Sequence, residues 1–63
     1  MLYEHAVVVA INDLSDEVKR GCVGTIVMIY NDPSLAYEVE FFDDQYVTLG
    51  VLTVKPEDIA KRD

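Results

Sequence analysis

Two glycines three residues apart sit in the stretch "RGCVGTIVMIY", Arg20 to Tyr30, and closely spaced glycines are one way a chain cradles a phosphate. That chemistry needs G-x-G-x-x-G, or a last glycine followed by Lys and Ser or Thr, leading from a strand into a helix whose N-terminus meets the anion. Here "GCVG" runs into the β-branched "TIVMIY", and no lysine follows the second glycine. Gly21 and Gly24 are therefore read as backbone devices, one for a turn at positive φ and one for a tight strand start.

Cys22 lies between them and is the only cysteine. A thiol nucleophile needs a base, and with His5 the only histidine a Cys–His pair would depend on the fold alone. Arg20 nearby is expected to lower the thiol pKa slightly. The simpler reading of Cys22 is a small apolar residue at a strand start. His5 lacks the companion His and Cys ligands of a metal site, so it is read as a partly exposed histidine at a strand edge.

Carboxylates are densest at Asp43 and Asp44, with Glu38 and Glu40 just before them. Oxygen-rich clusters suit Ca²⁺ or Mg²⁺, but "DDQ" lacks the alternating acidic spacing of a calcium loop. Hydrolysis by a paired acid and base needs a cleft that shifts the two pKa values apart. The acidic cluster is read as a solvated hairpin. No catalytic residue, metal or cofactor is expected.

The aromatic residues Tyr30, Phe42 and Tyr46 are the candidate partner-binding residues. In "AYEVEFF" Tyr37, Val39 and Phe41 face one way, so Phe42 shares the other face with Glu38 and Glu40. Tyr30 ends the preceding strand and Tyr46 begins the following one, which would place both near that face. Aromatic side chains supply much of the energy of interfaces.

These residues need strands to hold them. "HAVVVAI" (His5 to Ile11), "CVGTIVMIY", "AYEVEFF" and "YVTLGVLTV" have the propensity or period of strands. Gly50, in the middle of the fourth, predicts a bulge or bend. "NDLSDEVKRG" is a polar connection pinned by Leu14 and Val18, with room for one helical turn around "SDEVKR". "NDPS" is a turn. "KPEDI" predicts a 3₁₀ turn, with Pro56 at its start and acidic residues at its positive end, and "IAKRD" a short closing strand. Short strands at this spacing predict an all-β fold. The order of strand, long loop, two tight turns, bent strand and 3₁₀ turn is that of a small SH3-like barrel of about five strands, a single domain over residues 1–63.

Twelve acidic and five basic residues give a net charge of −7. That repels nucleic-acid phosphates and favours a basic protein partner. Half of the residues are hydrophobic, which excludes disorder. "MLYEHAVVVAI" is too short to span a bilayer and is broken by Glu4 and His5, so a soluble, cytoplasmic chain without membrane contact is expected.

The stretch "RGCVGTIVMIYNDPSLAYEVEF" resembles the pattern R/K-x-G-x-x-G-T-V followed by Y-x-V-x-F. That pattern belongs to short bacterial SH3-like proteins grouped as a domain-of-unknown-function family. The likeness runs from Val7 to Ile59 and includes "VLTV" and "EDI". It implies a fold and carries no chemistry. A looser likeness, over the second and third strands, is to the SH3-like barrel of the nitrile hydratase β subunit. In that enzyme a cysteine cluster of the other subunit binds the metal, so the activity is not carried over to this chain.

The sequence thus leads to a non-enzymatic acidic protein-binding module, an accessory or antitoxin-like partner of a basic protein. The alternatives are a structural homo-oligomer, whose association adds the burial a chain this short lacks, and a small β-barrel nucleic-acid binder. The latter wants a basic groove beside its aromatics, and the cations stand in three separate places along the chain.

Overall fold

Alternation sets the centre of the molecule. In the computed structural model, which describes residues 2–62, Ala36–Phe42 forms the third strand, β3, with Tyr37, Val39 and Phe41 buried and the residues between them half-buried. Around it lie β1 (Val7–Ala10), β2 (Val23–Tyr30), β4 (Thr48–Val54) and β5 (Ile59–Lys61), with a 3₁₀ turn at Pro56–Asp58 directly before β5. All pairings are antiparallel, in one sheet of order β4-β3-β2-β1-β5. The all-β class, the five strands and the position of the 3₁₀ turn are those expected from the sequence.

Two register shifts bend the sheet so that one face closes on the core. One falls in β2 between Ile26 and Met28; the other falls where Phe41 pairs with Gly50 but Phe42 pairs with Thr48, leaving Leu49 as the extra residue. The predicted irregularity at Gly50 is therefore present, and a bulge of this kind sharpens the local twist. Phe41, Ile26, Val8, Val18 and Val39 are fully buried on the inner face. Each such side chain stabilises the fold by about 1.5–3 kcal/mol relative to exposure.

Val18 arrives from the long connection between β1 and β2, and Leu14 packs partly beside it. No helical turn forms around Ser15–Arg20, where the sequence leaves room for one. The N–H groups of Leu14 and Ser15 donate forward to the Val18 carbonyl, opposite to the helical sense, and the Ser15 hydroxyl accepts from Val18 N–H at 3.0 Å. The Asp13 carboxylate accepts from Arg20 N–H at 2.8 Å and fixes the far end of the same loop.

The expected strand His5–Ile11 is shorter at both ends. Ala6 N–H donates to the Tyr3 carbonyl, and His5 adopts φ +67°, so residues before Val7 form a turn and His5 is an exposed turn residue, not a strand-edge one. Ile11 N–H donates to the Asp58 carbonyl, leaving β1 for the 3₁₀ turn. Asp58 holds that junction further: its carboxylate accepts from Lys55 N–H at 3.2 Å and from Asn12 Nδ2 at 3.3 Å.

Gly21 and Gly24 take the two roles read for them. Gly21 turns the chain at φ +95°. Gly24 faces Phe41 across the β2–β3 pair, where a Cβ would come within 2.7 Å of Val39 Cγ1 and 2.8 Å of the Glu40 carbonyl oxygen. No helix among the described residues is long and apolar enough to cross a membrane.

Candidate functional site

The hairpin between β3 and β4 is organised by one carboxylate. Asp43 accepts from the N–H groups of Gln45 at 2.8 Å and Val47 at 2.9 Å, while its own carbonyl accepts from Tyr46 N–H. This is a tight turn followed by a residue in the left-handed region, a position that glycine usually fills. Here it is Tyr46, at φ +62° and 72% exposed. A non-glycine residue held there costs on the order of 1–3 kcal/mol. The ring recovers little by burial, so packing does not offset the cost of this conformation.

Tyr46 overhangs an open cleft of about 500 Å³, with Phe42 and Cys22 in its wall. Phe42 is half-buried on the same face as Glu38 and Glu40, as the alternation predicts, and stands opposite Val23 on β2 and Thr48 on β4. The Cys22 thiol donates to the Phe42 carbonyl at 3.1 Å. Burial raises the thiol pKa above its ordinary value, and the charges of Asp43 and Asp44 push the same way. The small lowering expected from Arg20 is thus overturned: a thiol kept protonated is a weak nucleophile.

Tyr30 does not join this cluster, and Tyr46 belongs to the loop, with β4 beginning only at Thr48. Tyr30 pairs with Ala36 at one end of the β2–β3 ladder, whereas Phe42 pairs with Val23 at the other. At about 3.3 Å per residue the two ends are on the order of 20 Å apart. The Tyr30 hydroxyl donates to Glu38 at 3.2 Å. Its pKa is raised, first by partial desolvation and then by that hydrogen bond and the charge of Glu38.

Three cations that the sequence does not bring together also line the cleft. Lys19 and Arg20 enter from the loop before β2, and Arg62 from the end of β5. Cations that stand apart in the sequence meet because β5 pairs with β1 and β1 with β2. Glu17, Asp43 and Asp44 line the same cleft, so its formal charge balances and the net −7 resides on the rest of the surface.

That remaining charge is concentrated in part on the outer face of the sheet. Glu40 accepts from the Thr48 hydroxyl at 2.7 Å, and Glu38 from the Thr53 hydroxyl at 3.4 Å as well as from Tyr30. Glu40 is thereby drawn toward β4, while Glu38 is held between Tyr30 on β2 and Thr53 on β4. Among the described residues, no three His, Cys, Asp or Glu side chains gather in a group that could hold a metal ion.

The antiparallel sheet, its strand order and the 3₁₀ turn ahead of the last strand define a small all-β domain. Residues 4–61 match the domain of unknown function DUF4926, and the chain belongs to that family. No curated protein and no solved structure matches it.

Proposed function

We infer that this protein is a non-catalytic, acidic binding module of SH3-like barrel type that holds a basic protein in the cytoplasm, in an accessory or antitoxin-like role. The observation that carries this reading is Tyr46, exposed and in the left-handed region beside half-buried Phe42. Strained backbone at an exposed aromatic residue is a sign of contact with something else. The charge distribution supplies the second half of the reading. Because the cleft rim is balanced, the −7 of the remaining surface steers a cationic partner from a distance while the aromatic pair anchors it. The same field opposes nucleic-acid phosphates.

Affinity capture with the tagged protein over a salt series tests this reading. One stoichiometric basic partner is expected, released as salt rises and lost from Tyr46→Ser at low salt. Recovery of the protein with only further copies of itself would overturn it.

A further inference from the structure

The two edges of the sheet are built differently. β5 is three residues long and runs into Lys61 and Arg62. β4 is seven residues long, "TLGVLTV", without a charge or a proline. Edge strands are usually blunted by charge, proline, shortness or a bulge, because a row of unpaired N–H and C=O groups invites another strand. The bulge at Leu49 interrupts β4 near its start and leaves Gly50–Val54 in regular register. β4 pairs with β3 on one side. Among the described residues, no turn or loop backbone group bonds to β4, and its side-chain hydrogen bonds, from Thr48 and Thr53, lead back to Glu40 and Glu38.

The chemistry beside this open edge is specific. On the outer face Val51 stands opposite Glu40 and Thr53 opposite Glu38, and Val51 is 52% exposed. The glutamates are two residues apart on β3, about 7 Å along the strand. The Thr48 hydroxyl draws Glu40 toward β4, and Glu38 bridges Thr53 on β4 and Tyr30 on β2, so two carboxylates lie one strand in from an uncharged edge.

We propose that β4 is a docking edge for an extended, basic segment of the partner, which adds a sixth strand to the sheet. Main-chain hydrogen bonds to β4 supply the register. Lys or Arg at alternate positions of the incoming strand share the outer face with Glu38 and Glu40, their aliphatic stems lying across Val51 and Thr53. Past the bulge and the first residue of β4 the chain continues to exposed Val47 and Tyr46, so the edge leads toward the aromatic anchor. The proposal rests on the reading of the protein as a binder of basic partners and names the mode of contact.

The test uses the ¹⁵N-labelled full chain and a synthetic peptide of alternating lysine and valine. Two control peptides are used: one with glutamate for lysine, and one N-methylated on alternate backbone nitrogens. Binding of the lysine peptide should slow exchange at least tenfold at the amides of Gly50–Val54 that point away from β3. The glutamate peptide should not bind, and the N-methylated one, with its charges intact, should bind at least tenfold more weakly. Glu38→Gln with Glu40→Gln should weaken the lysine peptide by a similar factor, and circular dichroism should show the double variant folded. Equal binding of the N-methylated peptide, or shifts confined to Asp43–Val47, would overturn strand addition while leaving a basic-partner module intact. No binding of either lysine peptide, with full-length partner still captured, would also overturn it. Outward-pointing β4 amides already protected in the free protein, in a concentration-dependent dimer, would assign the edge to a second copy instead. Failure to capture any basic partner, which is a separate measurement, would remove the underlying reading.

Discussion

Val39 occupies the space that a side chain on Gly24 would need. Its Cγ1 lies 2.7 Å from the Cβ position, and Phe41 Cδ1 lies 2.9 Å from it, both from fully buried residues that cannot swing aside. The glycine is required by close approach of the two central strands, β2 and β3.

Gly24→Val is accordingly expected to destabilise by about 3 kcal/mol or more, since even modest overpacking of a close-packed core costs about 1–3 kcal/mol. Cys22→Ser keeps a donor toward the Phe42 carbonyl and should cost less. Urea denaturation of the two variants beside wild type checks the order. Equal midpoints for Gly24→Val and wild type would contradict the packing seen here.

Tyr46→Gly should have opposite effects on fold and function. Removing the side chain relieves the left-handed strain, worth about 1–3 kcal/mol. The greater freedom of glycine in the unfolded chain returns part of this, leaving a gain on the order of 1 kcal/mol. Capture of the basic partner should fall at the same time. A variant that loses stability and keeps its partner would assign Tyr46 to folding.

Phe42→Ser is expected to weaken partner capture while leaving a folded monomer. The ring is half-buried on the outer face, so truncation removes only part of the burial that a core phenylalanine provides, at a cost of about 1–2 kcal/mol. Thermal melting and capture, measured on the same preparation, separate the two effects. Loss of the melting transition with association intact would make Phe42 a core residue.

Alkaline pH should destabilise the fold. Cys22 and Tyr30 both have raised pKa values in the folded state. The unfolded chain therefore loses these two protons first as pH rises, and stability falls with pH in that interval. The contribution is fully present below about pH 8.5 for the thiol and about pH 10 for the phenol, the ordinary values of the two groups, and declines above them. Melting temperatures from pH 7 to 11 measure the fall. Cys22→Ser should remove its lower part, and Tyr30→Phe its upper part.

Much of this fold is legible in the sequence because burial imposes a period on it. Tyr37, Val39 and Phe41 can face the core only if β3 is a strand with one buried face, and this alone fixes the side on which Phe42 lies. Ser15 illustrates the limit. Its hydroxyl and the Val18 carbonyl redirect the backbone of a segment whose composition also suits a helical turn. The cleft was not legible, because Lys19 and Arg62 are far apart in sequence and meet only through the pairing of β5 with β1. The tethering of Glu38 and Glu40 was hidden similarly: it depends on the β3–β4 register, which the bulge at Leu49 shifts by one residue.

The pairing of β1 with β5 also governs how the molecule responds to force. Val8 faces Lys61 and Arg62 N–H donates to the Val7 carbonyl, so the chain enters β1 and leaves β5 at the same end of one ladder. Tension applied through both ends loads these hydrogen bonds one rung at a time, as in opening a zipper, and does not shear them together. The domain should therefore yield at low force, the C-terminal side parting from Val7–Arg62 up to Ala10–Ile59 and the N-terminal side from the bonds that His5 and Ala6 make with Ile26. The β3–β4 pair, which lies outside that line of tension, remains intact until those rungs have gone.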